Sequence, residues 1–169
     1  MTVYADLTSR EAYGKALAEI GAANKAIVVL DADLSRSTMT KFFAHDVPDR
    51  FIQCGLAEQN MISIAAGLSF CGKIPFVSTF AVFASSRCFD QVRMCVAQPS
   101  ANVKVVATHG GITVGEDGSS HQAIEDLSLY CALPNFNVVV PADSIETVEV
   151  IAQIVHSTCS QAEHWYDRR

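Results

Sequence analysis

Residues 50–80 read RFIQCGLAEQNMISIAAGLSFCGKIPFVSTF, and the reading of this stretch decides the fold. Its ends and its middle have different periods. RFIQC (50–54) and IPFVS (74–78) are short runs suited to strands, whereas residues 58–71 carry apolar side chains at helical spacing. A strand, a helix and a strand in this order form a crossover unit, which lays the two strands parallel.

The same alternation continues outward. AIVVL (26–30), VKVVA (103–107) and NVVV (137–140) are further strand candidates, and residues 9–22, 82–97, 122–131 and 144–156 have helical spacing. The strands are almost wholly apolar, as expected where both faces of a sheet are covered. The predicted fold class is therefore α/β, a parallel sheet with helices on both faces. TSRE (8–11) offers a capping box before the first helix, and PADSIE (141–146) offers Asp143 or Ser144 as the cap of the last. Length suits one domain, predicted over 1–156, with STCSQAEHWYDRR (157–169) as an irregular C-terminal tail.

Composition narrows the function classes. Half the residues are hydrophobic and 18% are charged, which is a globular balance. A formal net charge of −6 gives no bulk attraction to nucleic acid or to an anionic membrane. The longest apolar run, 61–70, is too short to span a bilayer and contains Ser63, Gly67 and Ser69. Acids occur early in the first 17 residues and no apolar core follows a basic start, so no signal peptide is expected and a cytoplasmic location is. Six cysteines lack any C-x-x-C pairing, which favours free, buried thiols in a reducing compartment and removes a structural zinc site.

Four groups of residues could carry chemistry. Glu58 opens a helix between apolar neighbours. It serves either as a first-turn acid complementing the helix dipole, or as a desolvated carboxylate that is partly protonated or paired with something brought in from outside. Phe80 and Phe83, three apart, are either core aromatics or a platform for a flat ring. His109 and His121 bracket the Gly-rich loop GGITVGEDGSSHQ (110–122), which also holds Glu116 and Asp117. Such loops at the carboxyl ends of parallel strands are where ligands bind, although two separated histidines are as often plain surface groups. The loop has neither the spacing of a P-loop nor that of a dinucleotide fingerprint, and no tight metal-ligand spacing is present. Arg10, Arg36 and Ser37 are candidates for a phosphate contact or simply solvated groups.

Taken together, LDADLSRST (30–38), RFIQCGLAEQNMISIAAGLSFCGKIPFVSTFAVFASSRCFDQVR (50–93), THGGITVGEDGSSHQAIEDLSL (108–129) and PNFNVVVPADSIE (134–146) resemble the pyrimidine-binding domain of the transketolase family. They follow the family's order and cover roughly residues 8 to 155, and the resemblance is nearest to the C-terminal subunit of split transketolases. It implies the thiamine diphosphate-binding fold and two-carbon ketol transfer between phosphosugars in the pentose phosphate pathway. Glu58 matches the glutamate that hydrogen-bonds N1′ of the cofactor's aminopyrimidine and favours its imino tautomer. Phe83 matches the aromatic stacked on that ring, with Phe80 beside it, and Asp33 matches an acid near the cofactor. His121 and Asp117 match residues near the sugar's first hydroxyls, so Glu58 and His121 are the expected catalytic pair. His109, Arg10 and Ser37 match positions that hold the sugar phosphate.

The departures imply half an active site. The family's diphosphate-binding domain, with its G-D-G and later asparagine, has no counterpart here, so thiamine diphosphate would be shared with a diphosphate-binding partner subunit that also holds magnesium. The family's usual C-terminal domain is also expected to be missing after PADSIE. A homodimer or heterotetramer is implied, and Ser86 stands where some members have a further aromatic. Deoxyxylulose-phosphate synthases and ketoacid dehydrogenase β subunits share the domain and are alternatives within the enzyme class. A non-catalytic assembly module is the alternative outside it.

Overall fold

The structure, a computed structural model, describes residues 4–157 and, as backbone alone, 160–164. The first helix, α1 (Ser9–Ala23), begins at a complete Thr8–Glu11 capping box and leads into β1 (Ile27–Asp31). Two short helices, α2 (Ser35–Thr38) and α3 (Lys41–Asp46), and a 3-10 turn (Pro48–Arg50) precede β2 (Phe51–Gln53). Helix α4 (Glu58–Phe70) crosses to β3 (Ile74–Phe80). A broken helical segment follows: a π turn (Phe83–Arg87), α5 (Phe89–Gln91) and a second π turn (Val92–Ala97). Then come β4 (Lys104–Thr108), a 3-10 turn (Ser119–His121), α6 (Asp126–Cys131), β5 (Phe136–Val139), α7 (Ser144–Ile154) and β6 (Ser160–His164).

The strands form a parallel sheet in the order β2-β1-β3-β4-β6-β5, as the alternating periods predict. The two-residue period of the strands divides the core between the two faces. Val28, Leu30, Val77, Val105 and Ala107 face one layer, which includes Met61, Ile62 and Ala65 of α4. Ile27, Val29, Phe76 and Val106 face the other, with Tyr13 and Leu17 of α1 and Ile151 and Ile154 of α7. The Tyr13 hydroxyl and Ser78 Oγ, buried 2.7 Å apart, tie α1 to β3. Among the described residues no helix is long and apolar enough to cross a membrane. Five of the six cysteines are described and all five are free, with Cys88 buried but Cys71 and Cys131 exposed; Cys159 lies outside the described residues.

Three expectations need correction, and two short helices lie where no element was expected. The tail predicted to be irregular contains β6, which pairs with β4 and β5; SQAEH has no apolar alternation to announce it. The helix expected over 82–97 is interrupted by π turns, because Gln98 N–H reaches back to Arg93 O and Ala101 N–H to Val96 O, five residues each. The helix expected from 122 starts at Asp126, since Ala123 instead bridges Gly111 in an extended pairing. Residues 35–46, which lack an apolar period, are helical because Asp31 organises them. Its carboxylate accepts from Leu34 N–H at 2.6 Å and from the Thr38 and Thr40 hydroxyls at 2.7 and 2.8 Å.

The turn thus formed lies tightly against α1. A Cβ on Gly14 would stand 2.3 Å from the Met39 carbonyl oxygen, which is backbone and cannot rotate aside. Gly14→Ala gains up to about 1 kcal/mol of helix propensity. Overpacking of a fixed neighbour costs about 1–3 kcal/mol, so the clash wins. The expected outcome in urea unfolding is a net loss of stability; a gain shows that α1 and the turn are not held together.

Candidate functional site at the carboxyl ends of the strands

After β1 the chain moves outward to β2, and after β3 it moves the other way to β4. The carboxyl ends of β1 and β3 therefore border a crevice that no crossover covers, the usual ligand position in open parallel sheets. Phe80 ends β3, Phe83 follows it, His109 follows β4, and the 3-10 turn of the Gly-rich loop ends on His121.

Three local features aim these side chains. The Gly111–Ala123 bridge closes the Gly-rich loop back on itself and brings His121 to the site. His109 has a φ of 60°, a left-handed backbone uncommon outside glycine that turns its ring inward right after a buried strand. Its Nδ1 lies 2.8 Å from Thr108 Oγ1. The π turn at Phe83–Arg87 widens the helix by a residue, so that Arg87 lies over the Phe83 ring with its guanidinium carbon 4.2 Å from the centroid.

The result is a continuous chain of contacts. Arg10 Nη1 donates to the Ser37 carbonyl at 3.0 Å and lies 3.4 Å from His109 Nε2. The His109 ring packs on Phe80 with centroids 4.0 Å apart. Phe80 and Phe83 are nearly parallel at 5.9 Å, and His121 meets both rings edge-on at 6.1 and 5.1 Å. Arg87 links Phe83 to Glu58, with Nη1 2.7 Å from Oε1. Seven of the nine residues that the family resemblance matched are joined in this way. Asp33 and Asp117 are the exceptions. Asp33 is exposed on a turn, where its backbone N–H donates to Gln53 Oε1, and Asp117 is exposed in the loop, where its carbonyl accepts from Ser120 Oγ.

Glu58 differs from expectation in one respect. Its carboxylate is 1% exposed, as the apolar flanks predict, but its partner comes from within the chain. Arg87 was not singled out. The available signal was a cation four residues after Phe83 in FASSR, which signifies little without the π turn. The neighbouring Cys88 records the same environment: burial first, and then the Glu58 charge, push its thiol up to about 12.

The sequence profile described as the transketolase pyrimidine-binding domain matches residues 5–161. This chain belongs to the transketolase pyrimidine-binding domain family. Among curated relatives, a protein of Methanocaldococcus jannaschii named as a transketolase C-terminal section is 53% identical over 145 residues, covering 86% of this chain and 46% of its own. Human transketolase is 42% identical over 146 residues, covering 86% of this chain and 23% of its own. Among solved structures, a split-gene transketolase described as an inactive β4 tetramer superposes with a TM-score of 0.83 at 51% identity, covering 94% of this chain and 51% of that one. Transketolase from Campylobacter jejuni gives 0.86 at 29% identity, covering 95% and 26%. The pyrimidine-binding domain described here thus spans between about a quarter and a half of these relatives.

Asp31 supplies a pH test of how the site is held, because the turn it organises carries the Ser37 carbonyl to Arg10. Burial raises its carboxyl above the ordinary 3.8, with the Asp33 charge adding to the rise, against lowering by Thr38, Leu34 and Thr40. A raised folded value favours the protonated acid in the folded state, so this contribution is complete below the unfolded value and is lost as pH rises through the folded one. Urea unfolding from acidic to neutral pH should show wild type losing stability relative to Asp31→Asn over that window. The opposite slope means that the three donors outweigh burial.

Proposed function

We propose that this chain is the pyrimidine-binding subunit of a two-chain transketolase. It binds thiamine diphosphate jointly with a diphosphate-binding subunit, and the pair transfers a two-carbon ketol unit between phosphosugars. One observation carries the reading: a buried carboxylate, Glu58, accepts an N–H from a planar group lying on the Phe83 ring. A site that holds a guanidinium in this manner has the acceptor and the aromatic face for an aminopyrimidine, which is also flat and also presents N–H to a carboxylate.

Glu58 would hold a proton at the ring nitrogen, in a place where burial keeps water from competing for it. Phe83, with Phe80 parallel to it, would fix the plane of the ring. Asp33 is proposed to lie near the cofactor. The cofactor supplies, when bound, the electron sink for breaking a bond beside a carbonyl.

Arg10 and His109, close together at the other end of the contact chain, suit a sugar phosphate, with the Ser37 segment beside them. His121 is half-buried between the rings and the loop, and Ser120 Oγ engages its Nδ1 at 2.9 Å. Its Nε2 is then the nitrogen to meet a substrate hydroxyl, with Asp117 on the same loop. Magnesium and the diphosphate belong to the partner subunit in this reading. The assembly is a homodimer or heterotetramer, and its location is the cytoplasm.

The test combines the chain with a diphosphate-binding transketolase subunit, thiamine diphosphate, magnesium and a ketose phosphate donor, and follows transfer to an aldose phosphate. Glu58→Ala should abolish turnover. Glu58→Gln, which keeps the shape and can still accept from Arg87, should leave the circular dichroism spectrum unchanged while lowering kcat by about 10²-fold or more. Equal turnover in the Gln variant removes Glu58 from its proposed role, and absence of transfer with every such subunit removes the reading.

A further inference from the structure

Arg87 lies where a ligand ring would have to go. Its guanidinium covers the Phe83 ring at 4.2 Å and donates to Glu58 at 2.7 Å, and these are the two features that the proposed function assigns to the cofactor's aminopyrimidine. A ring that takes that face and bonds that carboxylate meets Arg87 first. The two partners differ sharply in environment: the Glu58 side chain is 1% exposed and that of Arg87 46%.

That asymmetry determines which group can move. Glu58 is held at the start of α4 and cannot reach water, and a buried carboxylate deprived of its partner is strongly destabilising. Arg87 is already half in solvent, so its head can rehydrate by side-chain rotation alone. Its backbone need not shift, because Gln59 Nε2, one residue beyond Glu58, donates to the Arg87 carbonyl at 2.9 Å and ties the π turn to α4. We propose that Arg87 is an internal stand-in for the cofactor ring, holding the Phe83 face and pairing Glu58 until the ring displaces it to solvent. This rests on the reading of Glu58 and Phe83 given above. The exchange replaces one planar N–H donor by another, so Glu58 is never left unpaired. Its consequence is competition: the apparent affinity is reduced by the fraction of the chain in which Arg87 is still seated.

The test assembles the chain, labelled with nitrogen-15 at arginine, with a diphosphate-binding subunit and magnesium, titrates the pair with thiamine diphosphate, takes affinity from calorimetry and follows the Arg87 Nε–H by NMR. Wild type, Arg87→Met and Arg87→Lys are compared. Met keeps much of the side-chain length without charge or donors, and should bind about tenfold more tightly. Lys keeps the charge without the planar fork and should fall between. In wild type the Arg87 signal should move from a slowly exchanging position to that of a solvated arginine as binding saturates. This readout also decides the matter if Arg87→Met does not fold. If wild type binds but Arg87→Met binds equally or more weakly, or the Arg87 signal stays where it was, Arg87 is a fixed partner of Glu58 and the stand-in is overturned while the cofactor reading stands. If the assembled pair binds no thiamine diphosphate in any variant, both are overturned.

Discussion

The site depends first on the position of β1. This strand is buried along its whole length and pairs on both sides, with β2 and with β3, in parallel. Parallel neighbours require crossovers, and a strand flanked by crossovers that depart in opposite directions leaves the crevice at its carboxyl end uncovered. Three groups that border the crevice are placed by this. Asp31 terminates β1 and collects three donors from the next segment; Glu58 starts the helix after β2; Phe80 terminates β3.

The Glu58–Arg87 pair illustrates the energetics of that commitment. Its Coulombic attraction is not the main term, since one partner is half-solvated and screened. The larger effect is avoidance: removing Arg87 without replacement would leave a carboxylate in a dry site. The stack on Phe83 adds about 0.5–1 kcal/mol, as for an exposed cation over a ring. It also orients the planar fork toward the carboxylate. The pair is therefore more valuable for keeping Glu58 paired and in place than for net stability.

How much of this was legible depended on whether a residue's role follows from its neighbours in sequence. Runs such as AIVVL and VKVVA reported strands because burial on both faces favours apolar residues, with the buried Lys104 an exception whose Nζ donates to the Ser157 carbonyl at 3.0 Å. The Glu58 burial was legible for the same reason, from the apolar residues around it. Its partner was not, because Arg87 reaches it only through a π turn, and the apolar spacing of 82–97 is indifferent to one extra residue per turn. The helices at 35–46 were hidden because their organiser, Asp31, acts from the preceding strand. β6 was hidden because its sequence carries no period at all. His109, His121, Asp117 and Arg10 stood out in the sequence itself, and motif resemblance gave them roles and added Asp33; the structure gathers His109, His121 and Arg10, whereas Asp33 and Asp117 stand apart.

The geometry also constrains how function can be divided among these residues. The proposed phosphate end and the proposed ring end share one stack, because His109 touches Arg10 on one side and Phe80 on the other. A change at His109 therefore alters a charge contact and an aromatic packing surface at once, and a loss of affinity there would not report on phosphate alone. Arg10 meets the stack at Nε2 of the His109 imidazole, whereas the Phe80 ring contacts both histidines and Phe83 and is not separable from either end. The part of the site that this chain contributes is thus one connected surface with two chemistries. Its integrity rests on a left-handed residue, a π turn and a loop bridge rather than on any single hydrogen bond.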